Sequence, residues 1–417
     1  MHFRDFCRSG HWPTLVGASI YFGVSTMIWV LIGGLGNAIA LDIPMSDFEL
    51  GVLVAVPILG GSLLRLVFGP ISDYLGARRT GILGLSLTML PLFLGWSWAD
   101  SYPKLILVGI LLGSAGASFA VALPLTSRWY SPREQGLVMG IVGVGNVGSA
   151  LTTFCCPFLA ETWGWHAVFG LALAPVSLTF LMFLFLTADS PRTPVPNRWV
   201  DYVAAIRQPD TWWFCLFYGV SFGGFVGLAS FLGIFFHRHY GLSSIHAGTL
   251  ATVCVLAGSL LRPVGGYLAD QVGGIHLLTI LYFAVGILLL DLSTSPPMIW
   301  GIFVLVLVVG LLGLGNGAVF QLVPQRFPKE IGTVTGLVGA AGGLGGFLLP
   351  MLLGGAREMT GSFSIAFLFL AAAAFASAIV LINVSQAWKG VFVDEGGRAS
   401  AEPVFLGQAS IANHLES

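Results

Sequence analysis

Long apolar stretches recur along the chain, separated by short polar or turn-forming breaks, and this alternation is its dominant pattern. A helix rises about 1.5 Å per residue, so roughly 20 apolar residues cross the hydrocarbon core of a bilayer. Twelve stretches of that kind fall near 13–36, 48–74, 80–99, 103–127, 135–160, 165–187, 211–236, 246–270, 276–293, 298–323, 331–355 and 363–386. They predict an all-α polytopic membrane protein with twelve transmembrane helices. The first stretch is too long for a signal-peptide core and no small-residue cleavage site follows it, so it is expected to remain as a span. The breaks carry turn chemistry at 76–80, 295–297 and 326–329. The longest, 188–210, holds Pro191, Pro194, Pro196 and three arginines. It reads as a cytoplasmic linker between an N-terminal six-helix bundle (1–187) and a C-terminal one (211–386). Residues 387–417, polar and rich in small side chains, are expected to be a mobile cytoplasmic tail.

Composition agrees and excludes other classes. Hydrophobic residues make up 56% of the 417 and charged residues only 9%, against about 25% charged in a soluble globular chain. The formal net charge of -1 provides no field for a nucleic-acid partner. The five cysteines, Cys7, Cys155, Cys156, Cys215 and Cys254, have no metal or disulfide spacing. No nucleophile–base set or phosphate loop suggests an enzyme, and no cofactor is expected. Lys and Arg set the orientation. Segments on the N-terminal side hold Arg4, Arg8, Arg78, Arg79, Arg128, Arg133, Arg192, Arg198, Arg207, Arg326, Lys329, Lys389 and Arg398; those on the other side hold only Lys104, Arg238 and Arg357. Both termini are therefore expected in the cytoplasm, with the bilayer as the protein's surroundings.

The two remaining cations, Arg65 and Arg262, lie inside spans two and eight and mark an internal repeat. LGGSLLRLVFGPISDYLG (59–76) matches LAGSLLRPVGGYLADQVG (256–273) at Ser62, Leu63, Leu64, Arg65, Gly69, Asp73 and Gly76, all at an offset of 197. SRWYSPREQGLVMG (127–140) resembles QRFPKEIGTVTG (325–336) at nearly the same offset. Two parallel six-helix repeats suit a carrier whose halves rock about a midplane site.

A charge inside a span costs about 2.5–3.5 kcal/mol on insertion scales, so it should face the interior and have a task. Each arginine falls a few residues past the middle of its span, and the repeat would set the two facing each other. No Asp or Glu lies near the middle of any span: Asp73 and Asp270 sit at inner ends, where they would hold inner loops, and Asp291 is near an outer end. Guanidinium is never deprotonated in a protein, so a bound anion is the natural counter-charge. The planar fork suits a planar oxyanion such as nitrate, nitrite or carboxylate. The alternative is structural: each arginine could bond backbone carbonyls instead. Asn146 would offer a neutral donor, with an interhelical hydrogen bond as its alternative. Tyr218 and Phe222 share a face of span seven, as site wall or as packing. Spans five and eleven are glycine-rich, with Gly143, Gly145 and Gly148 in one and Gly339, Gly342 and Gly343 in the other, which permits close packing and bending.

These residues resemble a known family. GPISDYLGARR (69–79), with Asp73, Arg78 and Arg79, is similar to the inner-loop motif of the major facilitator superfamily. Arg65 in GGSLLR, Arg262 in AGSLLR, GVGNVG (143–148), GAAGGLGG (339–346) and YGVSF (218–222) resemble the nitrate/nitrite porters of the NarK/NasA type, over residues 13–386. The resemblance implies a nitrate or nitrite site between the halves. Arg65 and Arg262 would clamp the anion, Asn146 and Tyr218 would hydrogen-bond it, and Phe222 would wall the cavity. A span-one aromatic, Phe22 or Trp29, would join them. The second copy of the loop motif, GGYLADQVGG (265–274), lacks the basic pair that follows Asp73. The resemblance also implies a functional monomer. Nitrate/nitrite exchange is the expected activity, because repulsion between the arginines resists closure of an empty site. Proton-coupled nitrate symport, a formate, oxalate or monocarboxylate porter, and a non-transporting anion sensor remain as alternatives.

Overall fold

The structure is a computed structural model that describes residues 10–130, 135–190, 203, 206–327, 331–394 and 397–398. Most of the linker and tail, and the cations Arg4, Arg8, Arg133, Arg192, Arg198 and Lys329, lie outside the described residues. Twelve helices are long and apolar enough to cross a membrane: α1 (Trp12–Asp42), α2 (Asp47–Leu75), α3 (Ala77–Ser97), α4 (Tyr102–Ser127), α5 (Val138–Trp163), α6 (Trp165–Leu186), α7 (Pro209–Tyr240), α8 (Ser244–Val272), α9 (Gly274–Ser293), α10 (Met298–Arg326), α11 (Val334–Thr360) and α12 (Ser364–Trp388). All twelve predicted stretches are present.

The repeat extends to the ends of α2 and α8. Ser46 caps α2 by accepting from the Glu49 backbone N–H, and Ser243, at the same offset, caps α8 by accepting from His246. At the other ends, Gly76 (φ 90°) and Gly273 (φ 95°) turn the chain into α3 and α9 with a backbone that L side chains resist. The bundles then differ. In the first, α1 is interrupted at Val30, α4 at Ala117–Ser118, and α5 by a 3-10 turn over Val144–Asn146. Their counterparts α7, α10 and α11 have no such interruption. Glycine content alone does not decide this. Glycines pack tightly in both kinds of helix, Gly342 against Tyr218 and Gly343 against Ser62 in uninterrupted α11, Gly116 against Trp29 and Gly148 against the Gly23 backbone in interrupted α4 and α5.

The bundles meet through α2 with α11 and α5 with α8. Toward the α1–α2 loop the contacts are backbone-close: a Cβ on Gly51 would meet the Pro350 carbonyl at 2.5 Å, and one on Gly248 the Thr153 carbonyl at 2.5 Å. At that end Asp47 faces Arg357 (3.3 Å) and Arg238 (3.9 Å) of the other bundle, and Glu358 accepts from the Phe48 N–H at 2.8 Å. Asn37 of α1 donates to the Gly233 carbonyl of α7. Toward the opposite end, Gly69, Gly140 and Gly336 have nothing within 4 Å of an added Cβ. Among these glycines, the backbone-close approach of the bundles at the α1–α2 loop end is not repeated toward the chain termini.

One expectation needs correction. Residues 389–394, placed in the mobile tail, fold back: Lys389 bridges Val393, and Phe392 packs on Trp388 and beneath Arg326. Val391, Phe392 and Val393 supply apolar area that a polar tail would lack.

Candidate functional site

Arg65 and Arg262 converge. The guanidinium carbon of Arg65 lies 5.5 Å from the Phe119 ring centre and 5.4 Å from that of Phe222; for Arg262 the distances are 5.6 and 5.9 Å. The same two rings serve both cations. Neither arginine has a carboxylate within 4 Å among the described residues. Arg65 is buried to 2% exposure.

Aromatic rings from four helices form a collar around the pair. Phe22 of α1 meets Phe119 of α4 (5.6 Å), Phe119 meets Phe320 of α10 (6.1 Å), and Phe320 meets Tyr218 of α7 edge-on (4.8 Å). Tyr218 stacks on Phe222 at 4.9 Å, and Phe222 stacks on Trp29 of α1 at 6.4 Å. Trp29 closes the collar by lying 4.8 Å from the Arg65 guanidinium. Ring faces attract cations by about 0.5–2 kcal/mol each, more as water is excluded. Such a collar stabilises two arginines without neutralising them.

The polar contacts are unequal. Arg65 Nε donates to the Gly116 carbonyl (2.9 Å) and Nη1 to the Gly339 carbonyl (2.8 Å), the second bond crossing between bundles. The structural alternative weighed for an intramembrane arginine thus holds for part of Arg65. Arg262 Nη2 donates to Tyr218 Oη at 3.3 Å, and its Nη1 is buried with no hydrogen-bond partner among the described residues. Asn146, in the 3-10 turn of α5, is buried with its Nδ2 likewise unpartnered. Gly143 lies beside Arg262, and Gly339 beside Arg65 and Phe119, where a Cβ would come within 3.8–3.9 Å of the guanidinium nitrogens. Gly145 and Gly148 let α5 approach Phe22 and the Gly23 backbone. Thr26 fixes that contact through its hydrogen bond to the Gly145 carbonyl at 2.7 Å.

The loop residues lie away from this site. Asp73 pairs with Arg128 at the end of α4, while Arg78 donates its backbone N–H to Asp189 and a side-chain N–H to the Leu184 carbonyl of α6. Arg79 is exposed. Asp270 accepts from Gln321, and the cation equivalent to Arg128, Arg326, pairs instead with Asp210. Both span-one aromatics, Phe22 and Trp29, belong to the collar. Sequence reasoning missed Phe119 and Phe320. The repeat did not flag them, because at the offset of 198 that aligns Arg128 with Arg326, Phe119 meets Gly317 and Phe320 meets Ala122.

Two six-helix bundles around a central cationic site are the layout of a membrane carrier. The Major Facilitator Superfamily model matches residues 15–350. The nitrite extrusion protein of Bacillus subtilis (strain 168) is 34% identical over 85% of this chain and 90% of its own. The probable nitrate/nitrite antiporter NarK1 of Thermus thermophilus is 34% identical over 85% and 88%. A bacterial homologue of the human lysosomal transporter Spinster, solved in an inward-facing and occupied conformation, covers 89% of this chain with a TM-score of 0.61 at 18% identity. It shares the fold. The chain belongs to the major facilitator superfamily and, within it, to the nitrate/nitrite transporter family.

Proposed function

We propose that the protein exchanges nitrate and nitrite across the cytoplasmic membrane by alternating access, as a single chain with both termini in the cytoplasm. The observation that carries this reading is the convergence of Arg65, buried, and Arg262, half-buried, on the same two rings, with no carboxylate within 4 Å of either among the described residues. An anion supplies the missing charge. Planar guanidinium forks match the oxygens of an oxyanion, and the flat ring faces beside them suit a flat one. Asn146 Nδ2 and Tyr218 Oη supply neutral polar contacts, while Phe222 and Phe119 wall the space. The names of the relatives support nitrate and nitrite in particular, and the antiporter name supports exchange.

Alternating access follows from the charges. In the present arrangement the bundles are locked at the α1–α2 loop end and not so joined toward the termini, which supports a site that faces the cytoplasm. Closing around an empty site would bring two like charges together in a low dielectric. A monovalent anion between them removes that cost and lets the bundles rock, so the loaded carrier returns and the empty one does not. In proteoliposomes, nitrate uptake is expected only when nitrite or nitrate is inside. Uptake into empty vesicles driven by a pH gradient would overturn exchange in favour of proton symport, and a carboxylate that outcompetes nitrate would overturn the substrate.

A further inference from the structure

The repeat continues past the last helix of each bundle. After α6, residues 188–190 return to the helix ends of their own bundle on the side of the chain termini. The Ala188 N–H donates to Thr14 Oγ1 at the start of α1 (3.0 Å), and the Ala188 carbonyl accepts from the Trp129 indole just beyond α4 (3.0 Å). Asp189 accepts from the Arg78 N–H at the start of α3 (2.9 Å), and Ser190 donates to the Arg128 carbonyl (2.9 Å). After α12 the chain reaches the same three places in the other bundle. The Trp388 indole donates to Asp210 at the start of α7 (2.9 Å), beside Thr211, which the offset of 197 equates with Thr14. The Phe392 ring lies 5.5 Å from the guanidinium carbon of Arg326, the equivalent of Arg128, at the end of α10. Gly397 sits against the start of α9, where an added Cβ would meet Ile275 at 2.7 Å. Ile275 is the equivalent of Arg78.

The chemistry at these places differs between the bundles, and the sequence says why. The first loop motif keeps its basic pair, and the Arg78 side chain reaches the Leu184 carbonyl of α6. The second copy has Ile275 and His276 there, and apolar cover replaces the hydrogen bond. Trp388, Phe392 and Val393 are buried. Trp388 stacks on Phe214 of α7 at 5.1 Å, and Phe392 packs on Trp388 at 5.4 Å. Arg326 pairs with Asp210, the carboxylate that also holds Trp388, and faces both the Phe327 and the Phe392 rings. We propose that residues 388–394 with Gly397 form a strap that does for the C-terminal bundle what the basic pair and residues 188–190 do for the N-terminal one: it fixes the ends of α7, α9, α10 and α12 to one another, so that the bundle turns as one body. Trp388 and Phe392 are positioning residues, acting through Asp210 and Arg326. They bear on transport because α7 and α10 carry Tyr218 and Phe320, which meet edge-on at 4.8 Å. Tyr218 is eight residues from Asp210 and Phe320 six from Arg326, about 12 and 9 Å along the helices. In a carrier whose bundles rock, slack at those ends is motion lost between them. The effect on turnover rests on the exchange reading above; the bracing does not.

The test uses the full chain with Phe392→Ala, which removes the ring at Arg326, and Gly397→Ala, which forces a methyl group against Ile275 at a φ of 86° that L side chains resist. The two act at different points of the strap, so a shared result does not come from one local defect, and either serves if the other fails to fold. Lys389→Ala, which alters an exposed side chain, is the control. The first readout is hydrogen–deuterium exchange in detergent, which needs no substrate and so stands apart from the nitrate reading. Residues 209–214, 274–278 and 322–327 are expected to take up deuterium together, about tenfold faster or more than in the parent, as loss of buried packing at helix ends allows. Residues 77–80 and 126–130 of the other bundle should be unchanged. The second readout is nitrate counterflow in proteoliposomes. Its maximal rate per folded carrier should fall about fivefold or more with KM kept within about twofold, because the strap lies away from the anion. Faster deuterium uptake confined to the strap itself would overturn the brace. Loosened helix ends with normal counterflow per folded carrier would overturn its part in transport and leave only a stabilising one.

Discussion

Asp47 is the residue whose loss should open the closed end of the molecule. Its carboxylate, in the first turn of α2, faces Arg357 at 3.3 Å and Arg238 at 3.9 Å, both from the other bundle. These side chains are 24–36% exposed, so each pair is screened and contributes about 0.5–1 kcal/mol. Asp47→Asn removes both pairs and should shift the balance toward an opened end by about 1–2 kcal/mol, roughly 5- to 30-fold in population. Hydrogen–deuterium exchange reads that factor directly where opening is fast. Residues 46–51 and 354–360 should lose protection together, by the same factor, because they separate in one motion. Glu49→Ala is the control: it removes the side chain that accepts from the Ser46 backbone N–H, and so breaks the capping box, while leaving the Asp47 pairs in place. It should loosen the start of α2 alone, by the ~1 kcal/mol of a cap. High salt should mimic Asp47→Asn and add little to it. If Asp47→Asn loosens only residues 46–51, the carboxylate supports its own helix and is no latch.

Two further outcomes follow from the collar and the cross-bundle packing. Phe119→Leu removes a ring face shared by both guanidiniums, and at about 0.5–1 kcal/mol per cation contact should destabilise the anion-free protein by about 1–2 kcal/mol, read as a lower thermal midpoint in detergent without nitrate. Gly343→Ala drives a methyl group into Ser62, which already donates to the Ile58 carbonyl; overpacking of this kind costs about 1–3 kcal/mol and should lower the thermal midpoint and slow counterflow, with Ser62→Gly restoring both.

The helices were legible because each must bury its own backbone and present about 20 apolar residues to lipid, a constraint that acts locally and shows as a run. Arg65 and Arg262 were legible because a charge in such a run is costly and so informative. Phe119 and Phe320 were not, since the chain has 31 phenylalanines and a ring at the site looks like a ring against lipid. The interruptions of α1, α4 and α5 were only partly visible. Glycine in 143–148 and 113–116 permits them, but the glycine-rich α11 is uninterrupted, so glycine content by itself does not mark a break. Asp47 carried no signal of its own. Yet two of the few cations on its side of the sequence, Arg238 and Arg357, turn out to be its partners. The same scarcity of charge that set the predicted orientation concentrates the ionic contacts where the bundles meet.

The asymmetry between the bundles has a mechanical sense. Breaking α4 but not α10 at equivalent places gives Arg65 a backbone partner, the Gly116 carbonyl, that Arg262 lacks. The interruptions of α1 and α5 sit at the same level, bridged by Thr26 to the Gly145 carbonyl and by Thr152 to the Met27 carbonyl. The N-terminal bundle therefore has interruptions tied to one another around the site, while α7, α10 and α11 of the C-terminal bundle are uninterrupted, and Arg262, seated between Gly143 and Tyr218, meets Arg65 across the shared Phe119 and Phe222 rings.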